Sequence, residues 1–396
     1  MKSNIAFIIS MSLIIVGTSI GGGILGLPLE TGLAGLVPSF FCFLFICLAM
    51  TISGWIVFSR FIKSRGTINN FAMLYHIELG PWAKHLNTFA YFFTFYGLLV
   101  AYLSGASTTI ISIFPHLNNI PYSGKFITAI FFLSATSIIV FGSHVIRKSN
   151  TLFSLLLFAF FIMLILLTVG HTNTTNLEYR NWSYAPFVLP ILATAFGYHI
   201  VIPVIYDHAI DKDLKTRNYF SILLIATIIV FLFNLTWATI VMGILPIHSP
   251  DNISITSALA RGVPATIPIA KLLHSKILII VSIFFTFFAI TTSYIGVGAG
   301  LLNYIEGVTY YYFKSSRLIN ISITFLVPFL IALIYPDVFI KLLNIVGGIG
   351  VIISCGILPA LLGLKKDNTP YLKCLSLITM IICAIVFVIE CKVLLF

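Results

Sequence analysis

Apolar residues run in long stretches along this chain, and the polar and charged positions are confined to short clusters between them. A helix needs about 20 apolar residues to cross ~30 Å of hydrocarbon. Stretches of that length predict membrane spans near 5–29, 33–58, 86–114, 124–142, 151–170, 185–206, 219–245, 276–304, 318–335, 338–362 and 371–395, eleven in all. The first is not expected to be a cleaved leader. It is long, follows a single lysine, and ends in Gly26-Leu27-Pro28 where a cleavage site would have small residues. Two connecting segments exceed simple turns. Residues 61–84 predict a short surface helix with Trp82 at headgroup depth. Residues 246–275, broken by Pro264 and Pro268, read either as a lid over the mouth or as a passive connector.

Composition narrows the class. With 59% apolar residues, 8% charged and a mean hydropathy of +1.10, no aqueous core accommodates the chain. A soluble enzyme, a nucleic-acid-binding domain and a disordered scaffold are excluded, and the recurring spans exclude a single anchor. The net charge of +11 reads as membrane orientation, because the basic residues sit in short loops. With the N-terminus inside, fifteen Lys and Arg fall on the inner side and seven on the outer. The expected topology therefore has a cytoplasmic N-terminus and a periplasmic C-terminus. The six cysteines form no Cys-x-x-Cys pair and read as small packing residues, so neither a metal nor a cofactor is expected. Sequons at Asn173, Asn181 and Asn252 fall in outward loops but are a weak signal.

Two spans carry matching interruptions. Span 1 contains Gly17-Thr18-Ser19-Ile20-Gly21-Gly22-Gly23, with Pro28 six residues after Gly22. Span 6 contains Thr194-Ala195-Phe196-Gly197-Tyr198-His199, with Pro203 six residues after Gly197. Ser19 and Thr194 each stand three residues before their glycine, so both motifs repeat at one offset. Matching breaks in two five-helix halves point to an inverted-repeat transporter, and an odd number of spans per half makes the second half enter from the opposite side. The expected division is 1–170 for the first repeat, 171–362 for the second and 363–396 for one further helix.

Consecutive glycines cost about 1 kcal/mol each in a helix relative to alanine. Irregular backbone survives at membrane depth only around a cavity or within protein. Unwinding exposes N–H groups with a positive dipole end, suited to a carboxylate, and C=O groups suited to an ammonium or cation. A zwitterionic amino acid presents both groups. The same glycines also fit close helix packing through Gly17-x-x-x-Gly21 and Gly22-x-x-x-Gly26.

Few ionisable side chains lie within the spans. His199, two residues after Gly197, is a candidate to relay a proton or to donate to a substrate hydroxyl; the alternative is a neutral ring bonded to a backbone carbonyl. Glu30, Asp207 and Glu306 are expected at the interface, and Glu390 is expected to snorkel outward. On span 8, the hydroxyls of Thr291, Thr292 and Ser293 suit a hard cation, or bond back to their own helix. On span 3, Tyr91, Phe95 and Tyr102 share a face that reads as a pocket wall, a core stripe or a lipid-facing stripe.

The stretch Gly21–Pro28, with Ala195-Phe196-Gly197-Tyr198-His199 and Pro203, resembles the bacterial aromatic and hydroxy amino acid permeases over essentially the full chain, most of all their tyrosine-specific members. The resemblance implies an all-α membrane protein of eleven transmembrane helices in a five-plus-five inverted repeat (LeuT-like) with broken helices 1 and 6. It also implies import of tyrosine or tryptophan with a proton across the bacterial inner membrane. By motif position, Gly21, Gly22 and Gly23 supply one substrate contact, and Phe196, Gly197, Tyr198 and His199 the other. In the expected binding mode, the Gly22 and Gly23 amides hold the carboxylate. Carbonyls around Thr18, Ser19, Thr194 and Ala195 hold the ammonium, Phe196 packs on the ring, and His199 reads the phenol or carries the proton. Gly17 stands near a position where sodium-coupled relatives often have asparagine, which weakens a sodium reading. A sodium-coupled symporter of a neutral amino acid with the same fold remains the alternative. A channel is a poorer fit because the paired helix breaks give no reason for one, and a membrane-embedded enzyme because no paired carboxylates, Ser/His constellation or metal-ligand cluster lies at membrane depth.

Overall fold

A computed structural model describes residues 2–68, 70–210, 215–312, 316–366 and 369–395. Lys212 and Lys314, two of the basic residues assigned to the inner side, lie outside the described residues. Every regular element among the described residues is helical. Span 1 is split into α1 (Lys2–Ser19) and α2 (Gly23–Ala34), which meet at 67°. There follow α3 (Leu36–Ser64), the short α4 (Phe71–Leu79), α5 (Pro81–Ile113), α6 (Ser123–Val140), α7 (Ser143–Thr168) and a single turn, α8 (Thr174–Leu177). Span 6 comprises α9 (Ala185–Ala195), a 3-10 turn (Tyr198–Val201) and α10 (Ile202–Ala209), and leads to α11 (Thr216–Ile244). Two short helices, α12 (Ile255–Ala260) and α13 (Thr266–Leu272), precede α14 (Lys276–Tyr312) and α15 (Arg317–Ile334). Span 10 runs as α16 (Phe339–Ile345), a π-helix (Val346–Ile357) and α17 (Leu358–Lys366), and α18 (Pro370–Leu395) is last. Among the described residues ten of these spans are continuous helical segments long and apolar enough to cross a membrane, and the bent pair α1–α2 makes the eleventh.

Packing follows the repeat. Spans 1, 2, 6 and 7 pack together, through α1 on α11, α2 on α9 and α11, and α3 on α9 and α11. Spans 3, 4, 8 and 9 form a second group through α5, α6, α14 and α15, with α7 laid along α14. Each group thus takes two consecutive spans from each half, the arrangement of a five-plus-five LeuT-like fold. Span 10 bridges the groups by touching both α5 and α9.

The structure differs from expectation in three places. The second break is shallower than the first: span 6 passes through one 3-10 turn as a continuous span, whereas span 1 bends at its break. One glycine interrupts span 6; three in a row interrupt span 1. Span 10, outside the two spans expected to be broken, is a π-helix over Val346–Ile357. Glu30 and Glu390 are neither interfacial nor snorkelling, being only 7% and 3% exposed. Glu30 accepts hydrogen bonds from the Tyr184 hydroxyl (2.9 Å) and the Asn344 amide (2.7 Å). Glu390 lies against Gly348, where the absence of a side chain admits it. Asp207 is exposed as expected, and Glu306 pairs with Arg317 at 3.8 Å.

Candidate functional site

The α-helical ladder of span 1 stops at Ile20, whose amide still reaches Val16 O at 2.8 Å, and resumes with short three-residue bonds from Ile24 to Gly21 and from Leu25 to Gly22. Between them the Gly22 amide is released from its helix and donates to Ser293 Oγ on α14 at 2.8 Å. Close approach requires glycine here: a Cβ on Gly21 would run into the Ser293 hydroxyl, and one on Gly22 into the ring of Tyr102. Gly17, by contrast, has nothing within 4 Å, so close packing does not explain it. In span 6, Gly197 (ψ 48°) breaks the helix, and Thr194 turns its hydroxyl to Leu343 O on α16 at 2.7 Å.

A cavity of about 880 Å³ lies between the two helix groups and is lined by both breaks. Among the residues singled out from sequence, Thr18, Ser19, Gly21, Gly22 and Gly23 line it from span 1. Thr194, Gly197 and His199 line it from span 6, and Thr292 and Ser293 from α14. Four others do not line it, one of them the buried Ala195. Phe196 and Tyr198, on either side of Gly197, are fully buried with their side chains off the cavity wall. Tyr198 packs on Gly54 and donates to Met50 O at 3.0 Å, so it ties span 6 to α3. Phe196 is therefore not placed to cover a ligand ring in this conformation. Thr291 is also buried off the wall, and its hydroxyl has no partner among the described residues.

His199 is 1% exposed, with Nε2 2.8 Å from Ser53 Oγ and no partner at Nδ1 among the described residues. Ser19 Oγ and Thr94 Oγ1 are buried and likewise unpartnered, and both residues line the cavity. Asn150 Oδ1, nearer the N-terminal face, is a fourth. Buried polar atoms are usually satisfied, so four such atoms around one cavity mark where a polar ligand fits. Thr292 instead bonds back to Phe288 O at 2.8 Å, the structural alternative raised by its sequence. Tyr91, Phe95 and Tyr102 form an aromatic wall on the same cavity. Sequence reasoning did not single out Thr94, Ser354 or Cys355. The last two reach the cavity through the π-helix, whose only sequence trace is the cluster Gly347-Gly348-Ile349-Gly350.

The cavity extends to one side only. Ser10 and Leu13 of α1, Asn87 of α5, Asn150 of α7 and Val204 of α10 line its reach toward the face carrying the N-terminus. The opposite end is shut. Trp237 Nε1 donates to Ile24 O at 3.1 Å, and Ala265 N to Leu25 O at 3.0 Å, while Ile255 packs against Gly32. Residues 246–275 thus form a cover in which α12 packs on α2 and the backbone just before α13 is hydrogen-bonded to α2.

A family model described as the tryptophan/tyrosine permease family matches residues 5–395. One similar protein is tyrosine-specific transport system 1 of Haemophilus influenzae, 26% identical over 344 residues, covering 86% of this chain and 83% of the relative. Another is glutamine transporter 2 of Aliivibrio fischeri, 26% identical over 364 residues, covering 90% of this chain and 89% of the relative. Among solved structures, MhsT in complex with L-phenylalanine superposes with a TM-score of 0.62 at 15% identity, covering 96% of this chain and 97% of that one. At that identity the likeness establishes the fold alone.

Proposed function

This chain belongs to the tryptophan/tyrosine permease family, whose members are multi-pass membrane transporters and not enzymes, and we propose that it imports an aromatic amino acid, foremost tyrosine, with a proton across the bacterial inner membrane. The observation that carries the reading is the single cavity joining both helix breaks, with unpartnered polar atoms on Ser19, Thr94 and His199 facing an aromatic wall. Its volume falls in the range of small-molecule sites. The amino acid's carboxylate takes the Gly22 amide in place of Ser293 Oγ and also meets Gly21 and Gly23. Its ammonium meets oxygen atoms around Thr18, Ser19 and Thr194. The ring lies along Tyr91, Phe95 and Tyr102, and Gly197 leaves room beside it. Phe196 and Tyr198 support the break from behind.

His199, anchored through one ring nitrogen, holds the coupling proton on the other. A zwitterion gains nothing from membrane voltage, so the proton supplies the drive, about 2.3 kcal/mol per 100 mV or roughly fiftyfold accumulation. The repeats 1–170 and 171–362 move relative to each other to expose the cavity alternately, and the helix within 363–396 stands outside them. With the N-terminus cytoplasmic and the C-terminus periplasmic, the conformation described here faces inward. Sodium coupling through Thr291, Thr292 and Ser293 is the competing reading, favoured by the unpartnered Thr291 hydroxyl.

Purified protein in liposomes tests both readings. Tyrosine uptake driven by an imposed pH gradient without sodium supports the proposal; uptake only under a sodium gradient replaces it with the alternative. Competition by tryptophan, phenylalanine and glutamine ranks the substrates.

A further inference from the structure

A second, smaller cavity of about 120 Å³ lies on the closed side of the molecule, between α2, the start of α9, α16 and α18. Its ionisable lining consists of Glu30, Tyr184, Lys341 and Glu390. The groups differ in how they are satisfied. Glu30 has one donor on each oxygen, from Tyr184 and Asn344. Glu390 is 97% buried, counting from its 3% exposure, and makes no hydrogen bond among the described residues. Asn344, whose amide nitrogen serves Glu30, keeps a buried Oδ1 with no partner, and it lines the same cavity. The cluster therefore holds a carboxyl with no hydrogen bond among the described residues, on a buried side chain, and a buried acceptor lacking a donor among them.

Charge points to what completes it. Glu30 and Glu390 lie within electrostatic reach of one another, and Lys341 offsets Glu390. With both carboxylates ionised and Lys341 charged, one net negative charge remains in a low-dielectric site, and like charges held close resist joint ionisation. A single proton neutralises the cluster and supplies the missing donor.

We propose that Glu30 and Glu390 form a one-proton site, distinct from His199, whose occupancy from the closed-side solution latches α2 to α16 and α18. The protonated Glu390 carboxyl donates to Asn344 Oδ1 while Asn344 continues to donate to ionised Glu30. Loss of that proton leaves two facing carboxylates, whose repulsion favours separation of α2. The proton binds from and returns to the same solution, so it is not counted in the transport stoichiometry. The inference rests on the transporter reading above for its consequence, but the site itself is measurable without transport.

The test uses the full-length protein in liposomes, with tyrosine uptake followed against outer pH while inner pH is moved with it, so that the pH gradient driving uptake stays constant. Wild type is expected to show an outer-pH midpoint that Glu390→Gln abolishes, uptake remaining as in acid, while binding of tyrosine is retained. Lys341→Met removes the neighbouring positive charge and is expected to raise the midpoint by about one pH unit, a tenfold gain in proton affinity. It also stands in should Glu390→Gln fail to fold. An outer-pH response unchanged in both Glu390→Gln and Lys341→Met overturns the proposal. If the wild type transports no aromatic amino acid, infrared titration still reads the site. A protonated-carboxyl band lost in Glu390→Gln supports it, and its absence from the wild type across the neutral range overturns it.

Discussion

A hydroxyl that occupies a freed amide sets the cost of presenting that amide to a ligand. Ser293 Oγ accepts from Gly22 N at 2.8 Å. Removing it in Ser293→Ala leaves a buried N–H unpaired, at about 1–3 kcal/mol in the empty protein. A bound carboxylate relieves that penalty, so tyrosine affinity should rise by about fivefold to 150-fold while the empty protein melts lower. Isothermal titration alongside thermal melting checks both signs. His199 presents the complementary case, because Ser53 holds one nitrogen and leaves the other unpartnered. His199→Ala should reach the membrane and lose gradient-driven uptake; wild-type uptake in this variant would remove the ring from the mechanism. These residues were legible in sequence because glycine runs and a lone intramembrane histidine are rare and cost free energy wherever they occur. The direction of their side chains was not legible. Phe196 and Tyr198 share a motif with Gly197 and His199, yet their side chains are buried off the cavity wall.

At the level of elements, glycine plays two roles that sequence alone does not separate. In span 10, Gly348, Gly356 and Gly363 form a ridge that receives Glu390, Cys383 and Ser376 of α18. The buried stripe of α18 runs through Ser376, Thr379, Cys383, Val386 and Glu390, alternating steps of three and four. Glu390 thus faces inward because its partner surface lacks Cβ atoms, a cause that lies on another helix and escapes a hydropathy reading. The π-helix escaped for the same reason, since its glycines answer to neighbouring spans. Gly347 abuts the Pro190 carbonyl, which is backbone and cannot yield. Gly347→Ala should therefore abolish or sharply reduce the folded protein. Gly17→Ala, with nothing within 4 Å inside α1, should leave the melting temperature unchanged or raise it, by up to about 1 kcal/mol of helix propensity. Melting curves of the two detergent-solubilised variants make the comparison.

Across the whole molecule, the eleven spans and the paired breaks were readable because apolar length and glycine spacing are one-dimensional signals. The conformation was not, since it depends on how the helix groups lean on one another. The cavity's one-sided reach gives a direct check. Cys355 lines it, while Cys42 and Cys383 are buried away from it. In a protein retaining Cys355 alone, an impermeant thiol reagent should react from the N-terminal face and not from the other, with tyrosine slowing the reaction. Reaction from the opposite face only would reverse the assigned opening.

Trp237 is fully buried, with its indole N–H on the carbonyl of Ile24, just past the bend in span 1. Any movement that lifts α2 must strip this indole of its acceptor and let solvent near it. The other three tryptophans are all more exposed than Trp237. The chain therefore contains a native fluorophore at its gate: a red shift of one buried emitter would time the opening stroke without attaching a dye.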